Sequence, residues 1–360
     1  MLGYVIFLLS LFYINSIVPN KNIRLFLLFF VVFIFSAIRY GIGYDYYSYY
    51  AVVNQDSFLL LSWQPIPMIL GKLSAYTNTY YFFFLTSLFI CIFLYLSFKY
   101  SKVIEYKWES LLVYISFPLF YMFNMSTIRQ AMAYSIVFAA YTVFYNNNLK
   151  KTILCIVAVL CHLSAIGAFI ILIPFEKIKT RYLLILFIIS FVSGEAFVNI
   201  VGSYASYFSV GDKFSQYAEI SSLEVADGRS IRYVIYFVNL VSLYYRRTLN
   251  KNCERDRILK YLIGILCVGA SFFALFSTVN MTLAKRYCTF FFMASIVVIP
   301  YVWYYFKLKK RLFNTMNLLL FAVTIYLQAG NFSRAEDIKR ETSPTYPYRS
   351  MLFRFNEGFH

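Results

Sequence analysis

The sequence predicts an all-α, polytopic membrane fold of about ten transmembrane helices plus a re-entrant helix pair, and three features carry that prediction. First, of 360 residues 61% are hydrophobic and only 14% charged, with a mean hydropathy of +0.65, whereas a soluble domain carries roughly 25% charged residues. Second, apolar runs recur that approach the roughly 20 residues needed to cross a bilayer. Third, Lys and Arg fall mostly in short clusters between those runs, as in loops retained on the cytoplasmic side. A soluble fold is excluded.

The net charge of +17 does not indicate nucleic acid, because no folded soluble face is available to display a basic patch. The 40 Phe and 35 Tyr are not read as sugar binding by number alone, since Asn, Lys and Ile are abundant too. Cys91, Cys155, Cys161, Cys253, Cys267 and Cys288 lie mostly in or beside apolar segments, and none forms CxxC. They suggest neither a metal site nor a disulfide framework. The N-terminus lacks a basic region and a small-residue cleavage site, so it reads as a first span.

Spans are expected over 4–18, 24–38, 80–98, 110–123, 128–146, 182–200, 231–247, 258–278, 287–306 and 314–330. The basic clusters set their orientation. Lys21 with Arg24, Lys99 to Lys107, Lys150 with Lys151, Lys177 to Arg181, Arg246 to Lys260 and Lys307 to Arg311 should all face the cytoplasm. If the further apolar segment 152–173 crossed once, either 176–181 or 246–260 would lie outside. A re-entrant pair repairs this. Its halves, 152–161 and 164–173, are each about 15 Å long as helices, and His162 and Ser164 sit at the break, where polar groups satisfy loose backbone. The alternative is one span with a cationic outer loop. Both termini then lie outside, as do 39–79, 201–230 and 331–360, and the whole chain reads as a single domain. Pro65 and Pro67 should prevent a continuous helix in WQPIPMIL, giving a bent interfacial element.

Charged groups in or beside apolar spans are costly and each needs a reason. Arg39 ends the second span and opens RYGIGYDYYSYY. Gly41 and Gly43 permit a tight turn that brings Asp45 back toward Arg39, and the aromatic run could line a sugar-sized cleft. A snorkelling Arg in an aromatic belt is the plainer explanation. Arg129 falls in the first turn of the fifth span, capped by Ser126 or Thr127. A cation there opposes the helix dipole, but a bound anion would gain from dipole, free N–H groups and guanidinium together.

Arg286, beside Lys285, opens the ninth span, and Arg229 and Arg232 open the seventh. Each alone suits an interfacial anchor. Yet Arg39, Arg129, Arg232 and Arg286 share the outer face in this topology, against the ordinary loop bias, and suit a lipid diphosphate. His162 is either a hydrogen-bonded structural group or an interior functional one, and Glu195 either a base or an Arg partner. There is no GxSxG elbow, Walker loop, HExxH or Asp-rich metal motif, so no cofactor and no metal are expected.

Four motifs in order, IRYGIGYDYYSYY, STIRQAMAY, CHLSA and KRY, resemble the EpsG family of Wzy-like polysaccharide polymerases, and the tail segment YPYRSML resembles that family's C-terminal end. The resemblance implies a glycosyltransferase that uses undecaprenyl-diphosphate-linked repeat units at the outer leaflet of a bacterial plasma membrane. It also implies an architecture similar to GT-C-type enzymes, with no metal. A flippase and a chain-length regulator are the protein partners it suggests. By motif, Arg39, Asp45, Arg129, His162 and Arg286 are the positions carried over.

On that reading a hydroxyl of one repeat attacks the anomeric carbon of another. Arg129 and Arg286, with Arg232, bind the diphosphate, and Arg39 either joins them or holds Asp45. The base is Asp45, or else His162 or Glu195. Two other classes compete: a flippase or transporter for the lipid-linked oligosaccharide, which should show internal repeats that are not found here, and a membrane O-acetyltransferase.

Overall fold

The computed structural model describes residues 2–43, 45–54, 64–194, 196, 229–250, 252–277 and 281–336. Glu195, the YPYRSML motif and nearly all of 201–230 lie outside them. Every element among the described residues is helical. In order they are α1 (Leu2–Ile17), α2 (Lys21–Ala37), α3 (Tyr46–Asn54), α4 (Pro65–Ala75), α5 (Tyr80–Tyr100), α6 (Lys107–Ser116), α7 (Tyr121–Ser126) and α8 (Ile128–Val143). Then come α9 (Asn148–Cys161), two 3₁₀ segments (Leu163–Leu172 and Phe175–Lys177), α10 (Thr180–Val192), α11 (Arg229–Arg246), α12 (Glu254–Phe276), α13 (Met281–Phe292), α14 (Ser295–Tyr305) and α15 (Lys310–Glu336).

Helix is what these runs must form if they sit in lipid, where every backbone group has to be satisfied within the segment. Their starts are fixed locally. The Asn20 side chain accepts from the N–H groups of Asn22 at 3.0 Å and Ile23 at 3.2 Å, and Asn147 accepts from Lys150 at 2.9 Å. These bonds satisfy donors that a helix start leaves open. Large apolar side chains are exposed in stripes at helical spacing, Leu2, Ile6, Leu9 and Tyr13 on α1, and Tyr233, Phe237, Leu240 and Tyr244 on α11. Exposed apolar faces of this kind suit hydrocarbon rather than water.

Among the described residues two helices, Tyr80–Tyr100 and Glu254–Phe276, are each long and apolar enough to cross a membrane. The bent pair α13 and α14 makes a third if it counts as one span. Of the other expected spans, 4–18, 24–38, 231–247 and 314–330 fall on the continuous helices α1, α2, α11 and α15, while others are interrupted. The one predicted over 110–123 is broken between Ser116 and Tyr121, because Pro118 has no N–H to donate and disfavours helical backbone in the residue before it. The one predicted over 287–306 bends by 63°, turning through i to i+3 bonds such as Ala294 N–H to the Phe291 carbonyl at 3.1 Å. Pro65 and Pro67 act differently from the expectation. They open α4 instead of breaking it, since first-turn N–H groups have no helical partner to lose.

The chain divides into two compact units. The first comprises Met1–Ser101, Tyr114–Ile166 and Asn314–His360. Here α2 packs on α1 and α5, α5 on α8, and α8 on α9, while α3 and α4 pack on each other. The end of α6 is tied to α15 by Ser116 Oγ, 2.7 Å from Asn317 Oδ1, and by Thr324 Oγ1 donating to the Ser116 carbonyl at 3.1 Å.

The second unit comprises Lys102–Val113 and Gly167–Phe313. Its axis is α12, buried almost all round and packed by α10, α11, α13, α14 and the Phe175–Lys177 turn. Two glycines let neighbours approach. A Cβ on Gly264 would stand 2.4 Å from Phe175 Cβ, and one on Gly269 would stand 3.0 Å from Phe292 N. Arg246, only 3% exposed, binds this unit's basic end together. Its guanidinium donates to the carbonyls of Lys260 (3.1 Å), Phe175 (2.7 Å) and Ile178 (2.8 Å) and to Thr180 Oγ1 (2.9 Å). The basic stretches 177–181 and 246–260 are therefore at one end of the unit, as the charge pattern requires.

Candidate functional site

In the first unit the RYGIGYDYYSYY segment leaves α2 through a turn that the glycines make possible. Gly41 has φ +63° and Gly43 φ +113°, backbone that side chains with a Cβ rarely adopt. A Cβ on Gly43 would lie 2.3 Å from the Met125 carbonyl oxygen, so the turn rests directly on the chain just before α8. Arg39 is 2% exposed. Its Nη1 donates to the Ser36 carbonyl at 2.5 Å and to Ser87 Oγ at 3.2 Å. Its guanidinium lies 5.4 Å from the centre of the Phe83 ring, on which Tyr46 stacks at 4.2 Å. A cation on the last carbonyls of α2 is well placed against the helix dipole.

Beside Arg39 is a small cavity of about 20 Å³ lined by Ser36, Ser87, Tyr121 and Asn124 together with Ile90 and Met125, room for one water. Arg39 thus occupies the polar interior, pinning α2 to α5.

Past the turn, Asp45 and Arg129 act on one side chain, Tyr49. Burial raises the Tyr49 phenol above its ordinary pKa, the Asp45 carboxylate adds to that, and Arg129 opposes it through charge and hydrogen bonding. The Arg129 guanidinium stands 5.8 Å from the Tyr49 ring centre, and its Nη1 donates to Gln64 Oε1 at 3.2 Å.

Arg129 is in the first turn of α8, as expected, but the cap is not. Thr127 is the N-cap residue and makes no side-chain cap bond; its hydroxyl donates back to the Phe123 carbonyl at 3.2 Å. Asp45, Tyr49, Gln64 and Arg129 form one cluster from three elements. The aromatic run contributes less open surface than expected, because Tyr46 and Tyr49 are buried against Val52, Val53, Phe82, Phe83 and Ile128, leaving Tyr47 exposed.

Tyr49 and Gln64 were not singled out by the sequence. Tyr49 was hidden within a tyrosine run, and Gln64 meets Arg129 only through tertiary folding, 65 residues away in the chain.

His162 is found at the break that was expected. Its backbone is extended (φ −159°, ψ 125°) and ends α9. Nδ1 accepts from the Ser164 N–H at 3.2 Å and lies 2.6 Å from Ser164 Oγ. A nitrogen that accepts from an amide carries no proton, so a neutral ring is protonated at Nε2.

The second unit holds the other arginines. Arg232, near the start of α11, donates to the Ser277 carbonyl at the end of α12 at 3.2 Å. Arg286 lies in α13, where Phe276 at the end of α12 stacks on the neighbouring Tyr287 at 5.4 Å. Both arginines therefore belong to the end of the unit opposite Arg246. The Arg229 side chain and Glu195 lie outside what the structure describes.

Among the described residues the chain is all-helical and rich in apolar segments, as in a membrane protein, with arginines buried or at helix ends and with Asp45 and Arg129 both acting on Tyr49. A profile of the EpsG family matches residues 22–350, and the chain belongs to that family, a polysaccharide-polymerase-like one. No curated protein and no solved structure matches the chain.

Proposed function

We propose that this chain is a metal-independent glycosyltransferase of GT-C-like architecture that polymerises undecaprenyl-diphosphate-linked oligosaccharide repeat units. It works as a multi-pass protein at the outer leaflet of a bacterial plasma membrane. The observation that supports this most directly is the Asp45–Tyr49–Arg129 cluster within a chain of the EpsG family. Diphosphate is already a good leaving group, so the reaction needs stabilisation of developing charge more than it needs an acid. Preorganised guanidinium groups supply that.

Arg129, Arg286 and Arg232 bind the diphosphate, Arg39 holds the turn that carries Asp45, and Asp45 takes the proton of the attacking hydroxyl. Thr127 leaves the start of α8 without a side-chain cap, which favours an anion there.

Deleting the gene in its native strain tests the class. Loss of the polymerase should leave single repeats on the cell surface. No surface repeats at all would mean a flippase, and full-length chains lacking acetyl groups would mean an O-acetyltransferase.

A further inference from the structure

The second unit contains an apolar cleft of about 470 Å³, lined by Ile173, Leu186 and Ser190 on one side and by Val268, Phe272 and Leu275 of α12 on the other. Its size is within the usual range for small-molecule sites. Its wall is hydrocarbon with few hydroxyls, so it suits neither a sugar nor a phosphate.

Its direction follows from Arg246. That residue ties Thr180 and Lys260 to one end of the unit. Ser190 and Ser271, both lining the cleft, are each about 15 Å further along α10 and α12. The cleft thus extends away from the basic end. At its far end Leu275 precedes Ser277, whose carbonyl receives Arg232. From Phe272 an aromatic strip continues, with Phe276 at 5.9 Å and then Tyr287 at 5.4 Å, and Arg286 immediately precedes Tyr287 in the chain. The cleft thus leads toward the end of the unit that carries Arg232 and Arg286.

We propose that this cleft holds a segment of the polyprenyl tail of a lipid diphosphate whose head lies at Arg232 and Arg286, an inference that rests on the polymerase reading above. A single cleft takes a single chain, and the guanidinium groups of Arg232 and Arg286 suit an anionic diphosphate head. A zwitterionic phospholipid brings two chains and a cation of its own.

The test uses the purified full-length chain and undecaprenyl diphosphate carrying a diazirine near the middle of its tail. After irradiation, label is expected on peptides containing Ile173, Leu186 or Phe272. Most of it should be lost in Ser271→Phe and in Ile173→Trp, the second chosen because Ile173 is on the exposed rim and its replacement leaves α12 untouched. Excess phosphatidylcholine should not displace the label. Label confined to other peptides, or label displaced by phosphatidylcholine, overturns the cleft assignment while binding itself persists. Absence of any saturable binding of undecaprenyl diphosphate overturns the polymerase reading as well.

Discussion

Gly43 and Met125 are in such close approach that a Cβ on the glycine would stand 2.3 Å from the Met125 carbonyl oxygen. Through that contact the turn bearing Asp45 is seated on the chain leading into α8, and so beside Arg129. Gly43→Ala should therefore be destabilising twice over, by the clash and by φ +113°. A cost of roughly 1–3 kcal/mol is expected from the backbone alone. Thermal unfolding in detergent should show the loss, with Gly167→Ala, where a Cβ would meet nothing within 4 Å, as a near-neutral control.

Arg129→Ala and Arg286→Ala remove cations assigned to the diphosphate. Each should lower the polymerisation rate on the order of 10²-fold or more. The length distribution of the polymer on a gel, at normal amounts of protein in the membrane, is the measurement. Long-chain product in either variant would refute the assignment.

Asp45→Asn keeps the size of the side chain and removes its basicity. Only single-repeat product is expected. Undiminished chain length would transfer the role of base away from Asp45. Tyr49→Phe, by contrast, should lower the rate without abolishing it, because the phenol is buried and kept neutral and so positions Arg129 instead of exchanging protons.

Arg246→Met leaves the carbonyls of Phe175, Ile178 and Lys260 without their shared donor. A buried acceptor stripped of its partner costs about 1–3 kcal/mol, so stability should fall by on the order of 3 kcal/mol. The same contacts place 177–181 with 246–260. Lys177→Cys should react with a membrane-impermeant thiol reagent only after cells are opened, and reaction in intact cells would contradict the re-entrant topology.

The helical class was legible in the sequence because apolar runs near membrane length have only one way to satisfy their backbone in lipid. The break at His162 was legible too, since polar residues interrupt an apolar run there, and so was the turn at Gly41 and Gly43, where φ above zero excludes most other residues. Helix continuity was less so. Pro118 broke a predicted span while Pro65 and Pro67 opened a helix, where first-turn N–H groups have no helical partner to lose.

Sequence alone thus determined the helical membrane class and the family motifs, because hydropathy and charge act residue by residue along a helix. Tertiary structure decided the neighbours. It put Gln64 on Arg129, gave Asp45 and Arg129 a shared Tyr49, buried Arg39 against Ser87, and turned Arg246 from one more loop cation into the knot of the second unit. Those pairings join residues far apart in the chain, and a one-dimensional pattern carries no information about which distant backbone a side chain will reach.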